Sequence, residues 1–185
     1  MTIFWGAIFG VPLLAFGGLG LCSPPRAKAA AARFSSSRAA AAVLSAVAWA
    51  WTAYECDTIG IDVFNMILKR FPGEVWILAA VLCWLTIIWM PKNLSVRALM
   101  GIFMLIPAEL FKATRPLLPD GGFAPVTVLV ILAYILAVIG MYGMFYPWRI
   151  EGALDRILSN AKASRAFGAA LVIVGAAAIV AGFVA

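Results

Sequence analysis

The 185-residue chain has no histidine and no glutamine, and its three cysteines stand far apart at positions 22, 56 and 83. The missing histidine excludes haem with histidine ligation, histidine-containing zinc sites, and Ser-His-Asp or Cys-His catalysis. Cys22, Cys56 and Cys83 show no CxxC spacing, so they supply neither a disulfide framework nor a metal signature. Charge is also scarce. Only 12% of residues are charged, while 65% are hydrophobic. That balance belongs to an all-α polytopic membrane protein, because a soluble domain of this length could not hide so much apolar surface. The net charge of +6 does not indicate nucleic acid. Its cations sit in short loops between apolar runs, where they set membrane orientation.

Six segments are long enough, or nearly so, to cross a bilayer: about 2–22, 39–55, 75–91, 98–115, 127–147 and 166–185. Backbone facing lipid must satisfy its own hydrogen bonds, so each is expected to be helical, and together they make one transmembrane helical domain over 1–185. The third is short, and could begin nearer Phe71 or sit in thinned bilayer. Nothing basic precedes the first run and no small-x-small site follows it, so it reads as a retained span rather than a signal peptide. Leu21 before Cys22 argues against a lipoprotein cleavage site.

Orientation follows from the loops. The first, third and fifth hold Arg26, Lys28, Arg33 and Arg38, then Lys92 and Arg97, then Arg149, Arg156, Lys162 and Arg165. The second and fourth hold Lys69, Arg70, Lys112 and Arg115 beside Glu55, Asp57, Asp62, Glu74 and Asp120. The positive-inside rule then places the basic loops in the cytoplasm and both termini outside, in a plasma membrane of the bacterial inner-membrane kind. Trp5, Trp51, Tyr54 and Trp76 fall at outer ends, and Trp89, Tyr146 and Trp148 at inner ends.

The basic loops share a pattern of proline, serine and arginine. In each, proline stops the incoming helix, and Ser37, Ser95 or Ser164 is placed to cap the next. Three repeated hairpins would give this pattern, but so would any loop that needs a stop, a cap and a cation. The fifth loop, RIEGALDRILSNAKASR, can form a short basic surface helix, with Glu151 pairing Arg149 or neighbouring cations.

Small residues mark the packing helices. Gly168, Gly175 and Gly182 recur every seven residues in the sixth span, the second is rich in alanine, and Gly6-xxx-Gly10 lies in the first. Such stripes let backbones approach closely. Residues 58–71 alternate Ile59, Val63, Ile67 and Phe71 with polar positions, which predicts an interfacial outer helix or an extension of the second span. In the Pro-rich outer loop, Leu117, Leu118 and Phe123 either lean on the bilayer or contact a partner.

One acid is deeply placed. Glu109 lies roughly 18 Å into a core of about 30 Å, counted from Arg97 at the helical rise. At that depth it must have a partner. Lys112, three residues on, offers an ion pair; alternatively Glu109, beside Pro107, is a proton or cation site. Glu55, Asp57 and Asp62 cluster but match no calcium loop. No phosphate-binding, dinucleotide-binding or nucleophile-elbow motif occurs, so neither a cofactor nor catalysis is expected.

The expected function is a non-catalytic structural or accessory subunit of a membrane complex. Its partners would be the lipid bilayer, with other integral membrane proteins or further copies of itself. A small transporter or proton-coupled component using Glu109 is the alternative, and a lipid- or quinone-handling protein the third.

Overall fold

Pro24 and Pro147 open helices as well as closing them. In a helix's first turn the absent proline N–H leaves no bond unmade, and the fixed φ suits helical backbone. Pro24 therefore starts a short helix where the sequence suggested a loop, and Pro147 starts the short helix expected of the fifth loop. The computed structural model describes residues 2–58, 73–89, 92–114 and 126–184. Over them the chain is all-helical: α1 (Thr2–Cys22), α2 (Pro24–Ser36), α3 (Arg38–Thr58), α4 (Glu74–Trp89), α5 (Leu94–Thr114), α6 (Val126–Phe145), α7 (Pro147–Ser159) and α8 (Ala161–Val184). The outer helix expected over 58–71 and the loop bearing Leu117, Leu118 and Phe123 lie outside the described residues, apart from Thr58, which ends α3.

Of the six expected spans, three are both long and apolar enough to cross a membrane: α5, α6 and α8. Shorter apolar stretches are Gly6–Cys22 of α1 and the whole of α4. The 16 residues of α4 rise roughly 24 Å, short of a hydrocarbon core of about 30 Å. It begins directly after Gly73, whose φ of +100° favours glycine. α3 has the length, but its Trp, Thr and Tyr residues and Glu55 lower its hydropathy.

Helix starts depart from the expected serine caps. Ser37 does cap α3, accepting the Ala40 N–H at 3.2 Å. Ser95 and Ser164 instead lie inside helices that begin earlier. α5 starts after Asn93, which adopts a left-handed φ of 58°, and α8 starts after Asn160, whose Oδ1 accepts the Lys162 and Ala163 N–H groups. Freed from capping, both serines tie helices together. The Ser95 hydroxyl donates to the Ser35 carbonyl at 2.9 Å, and Ser164 to the Gly20 carbonyl at 3.3 Å.

The spans pack in close pairs. α1 and α8 run antiparallel with their backbones in contact, Gly6 against Ala178 and Gly182 at one end and Gly20 against Ser164 and Gly168 at the other. The start of α1 and the end of α8 thus lie at one end of the bundle. α5 and α6 form the second close pair, where a Cβ on Gly140 would stand 2.8 Å from the Met100 carbonyl oxygen. α3 packs on α5 and α4, and α6 joins the pairs by also touching α8. Phe9, Ile106, Leu110, Leu129, Ala133, Ala178 and Ala181 fill the core between them.

At the end opposite the termini, α2 and α7 meet. Lys28 Nζ lies 3.0 Å from Asp155 Oδ1 and donates to the Ser159 hydroxyl at 2.8 Å. The acid of α7 that makes an ion pair among the described residues is therefore Asp155 and not Glu151. α2 passes over α7, which brings the cation of the first basic segment to it.

Candidate functional site

The stripe Ala41, Ser45, Ala48, Thr52 and Glu55 follows the three- and four-residue spacing of one helical face on α3. Ala41, Ser45 and Glu55 on it are buried. This stripe carries Glu55 inward. Glu55 is 4% exposed, the most enclosed charged residue described. A carboxylate so placed needs donors. Trp51, one turn back, donates its indole N–H to Glu55 Oε1 at 3.3 Å. From α5, Lys112 Nζ donates to Glu55 Oε2 at 2.9 Å.

The same ammonium donates to Glu109 Oε1 at 2.8 Å, one turn back on its own helix. Lys112 thus bridges two carboxylates, one local and one 57 positions away in sequence. The lysine side chain is 48% exposed, against 21% for Glu109 and 5% for Glu55. Its stem lies along the bundle while its head spans two acids, as an amphipathic cation can near a helix end. Pro107 is buried two residues before Glu109, and its ring cannot supply the N–H that would bond the Phe103 carbonyl.

Chemically, this is a clasp with more acid than base. When all three groups are ionised the site carries one net negative charge. Among the described residues no group of three metal-ligating side chains occurs. Asp57, Asp62, Lys69, Arg70 and Arg115 lie where side chains are not described.

Three threonine hydroxyls turn to their own helices. Thr52 donates to the Ala48 carbonyl, Thr86 to Leu82 and Thr114 to Leu110. Ser45 differs both from these threonines and from the interhelical Ser95 and Ser164. It is 2% exposed, and its hydroxyl has no hydrogen-bond partner among the described residues.

The other feature is α4, which packs chiefly on α3. Trp76, Ile77, Leu78, Val81, Trp84 and Ile88 are exposed along it. Trp84 is 63% exposed and stands well inside the helix. Tryptophan ordinarily marks the membrane–water boundary, and Trp84 is not among the aromatic residues that the sequence places at span ends.

Gly168, Gly175 and Gly182 all face α1. Glu109 and Lys112 meet, whereas Leu117, Leu118 and Phe123 lie outside the described residues. Glu55 joins the pair although the sequence groups it only with Asp57 and Asp62. Comparison with family models, with curated proteins and with solved structures finds no match.

Proposed function

We propose that the chain is a non-catalytic, multi-pass membrane protein that serves as an accessory subunit of a membrane protein complex. The observation that carries this reading is the outer face of α4. This short helix packs chiefly on α3 among the described residues, and its exposed Trp84 stands away from the helix ends, where tryptophan is favoured. Trp is enriched among the residues that dominate protein interfaces, and lipid tails gain little from an indole at that depth. The occupant proposed for this face is a transmembrane helix of another integral membrane protein.

The clasp fits the same role. Lys112 with Glu55 and Glu109 closes polar groups of the spans upon one another, and Thr52, Thr86 and Thr114 bond their own helices. Such an interior supports a scaffold better than a path for polar solutes, which needs a polar lining near the midplane. In this reading α1 to α8 place six spans in a plasma membrane of the bacterial inner-membrane kind, with α2 and α7 cytoplasmic and both termini outside. The cations of α2, α7 and the α4–α5 turn support that orientation. Labelling of cysteines introduced near Asp120 from outside, and near Ser36 only after permeabilisation, is the expected pattern; the reverse would invert the topology.

Purification from the native host in mild detergent tests the role. A fixed set of co-purifying membrane proteins, lost in Trp84→Ala while the variant itself stays folded, is expected. A lone homo-oligomer indifferent to Trp84 would overturn it. The surplus carboxylate of the clasp favours a second reading, a proton-coupled component. A pH-dependent flux in proteoliposomes, abolished by Glu109→Gln, would establish that reading instead.

A further inference from the structure

Where α2 turns into α3, three consecutive serines and an arginine border a cavity of about 340 Å³. Ser35, Ser36, Ser37 and Arg38 come from that turn, and Ser95 enters from α5. The opposite wall is apolar: Ala41 and Ala42 from α3, Ile87 from α4 and Leu94 from α5. The cavity is thus polar on one side and greasy on the other, in the size range of small-molecule sites.

Its electrostatics have one sign. None of the described lining residues is acidic. The sequence has no Asp or Glu from Met1 to Tyr54, nor from Val75 to Ala108, the stretches that contribute all four walls. The acid that pairs at this end of the bundle, Asp155, is already held by Lys28. Arg38 itself is exposed, so its guanidinium is available, and planar guanidinium groups suit phosphate oxygens. The N-terminus of α3, 21 residues long, opens on the same wall and adds positive potential.

We propose that this cavity binds an anionic phospholipid, with the headgroup phosphate against Arg38 and the serine turn and an acyl chain along Ala42, Ile87 and Leu94. Basic pockets between transmembrane helices at the cytoplasmic face take such headgroups. The apolar wall is what selects a lipid over a free phosphate ion. A small anion would leave Ile87 and Leu94 uncovered, whereas an acyl chain covers them. The serine hydroxyls that bond neighbouring carbonyls, Ser35 and Ser36 to Ala32 and Ser95 to Ser35, hold the turn in the shape that frames the site.

Native mass spectrometry of the full chain, released from mild detergent, tests this with phosphatidylglycerol and phosphatidylcholine of identical acyl chains. Retention of phosphatidylglycerol above phosphatidylcholine is expected. Arg38→Gln should reduce that retention about fivefold, the effect of one cation near a lipid phosphate. Arg33→Gln, which removes an exposed cation of α2 outside the cavity, should leave it unchanged. Ala42→Phe should fill the apolar side and displace the lipid. If that variant does not fold, the two arginine variants decide the matter, since both positions are exposed. Equal losses from Arg33→Gln and Arg38→Gln would reveal diffuse attraction to a basic surface and overturn the proposal. So would equal retention of the two lipids, or full displacement of phosphatidylglycerol by inorganic phosphate.

Discussion

Gly10 and Gly175 each sit against the other's carbonyl oxygen. A Cβ on Gly10 would stand 2.6 Å from the Gly175 oxygen, and a Cβ on Gly175 would stand 2.9 Å from the Gly10 oxygen. Both obstacles are backbone, so no side-chain rotation relieves them. Gly6, Gly17 and Gly168 repeat the relationship along the same crossing. In a bilayer, where apolar surface gains nothing from leaving lipid, such close packing is a main source of helix association.

Gly175→Ala should therefore separate α1 from α8 and destabilise the fold by about 1–3 kcal/mol, as overpacking does. Ala177→Leu, at an exposed position on the same helix, should be nearly neutral. Thermal unfolding in one detergent compares them. Equal melting temperatures would mean that the crossing is loose.

Much of this crossing is legible in the sequence. Seven-residue glycine spacing with flanking alanines leaves one face of α8 without side chains, and Gly6-xxx-Gly10 does the same for α1. Gly140 is not legible, because it is a lone glycine in an apolar run, and only the approach of α5 shows what it permits. Glu109 and Lys112 can be paired from sequence because helical neighbours are fixed by sequence distance. Glu55 cannot be paired that way, since its partner reaches it from another helix. Its stripe of small residues is nonetheless a usable signal: a helix face of Ala, Ser and Thr that ends on an acid points the acid inward. Reading proline only as a stop hides its fitness for a first turn, and with it α2. Serine suggests a cap because capping is local, whereas Ser95 and Ser164 bond to other helices.

Burial pushes the Glu151 carboxyl of α7 above its ordinary value of 4.5. Below pH 4.5 the group is largely neutral in both folded and unfolded chains and causes no pH dependence. As pH rises the unfolded chain ionises first, so the folded state holds more protons and loses stability until pH passes the raised value. Stability should thus fall with pH across that window and level off above it. Glu151→Gln should flatten this part of the profile. An unchanged slope in the variant would assign the dependence to another group.

Lys28 and Asp155 join α2 to α7, but their side chains are 46% and 63% exposed. Exposed pairs contribute little after screening and side-chain ordering. A double-mutant cycle with Lys28→Ala and Asp155→Ala should return a coupling below about 1 kcal/mol, shrinking in high salt. A larger, salt-insensitive coupling would show that the pair is enclosed in the membrane-bound protein.

The clasp on Lys112 makes an ordered prediction, because its three members differ in enclosure. Removing Lys112 leaves the enclosed Glu55 and the neighbouring Glu109 without their shared cation. Lys112→Met should therefore be the most damaging, by about 3 kcal/mol or more, as when one partner of a buried pair is lost. Glu109→Gln removes only the more exposed acid and leaves the 2.9 Å bond from Lys112 to Glu55 in place. That variant should lose about 1 kcal/mol or less. Combining Lys112→Met with Glu55→Leu removes the cation together with the acid it leaves stranded. The pair should be less damaging than the sum of the two single changes, because interacting charges are not additive. Urea or thermal unfolding in matched detergent reads all four. If Glu109→Gln proved as costly as Lys112→Met, the enclosed partner would be Glu109, and α3 would not be held to α5 through Glu55. If instead every variant kept wild-type stability while a proton flux disappeared, the clasp would be a carrier of protons rather than a fastening between helices.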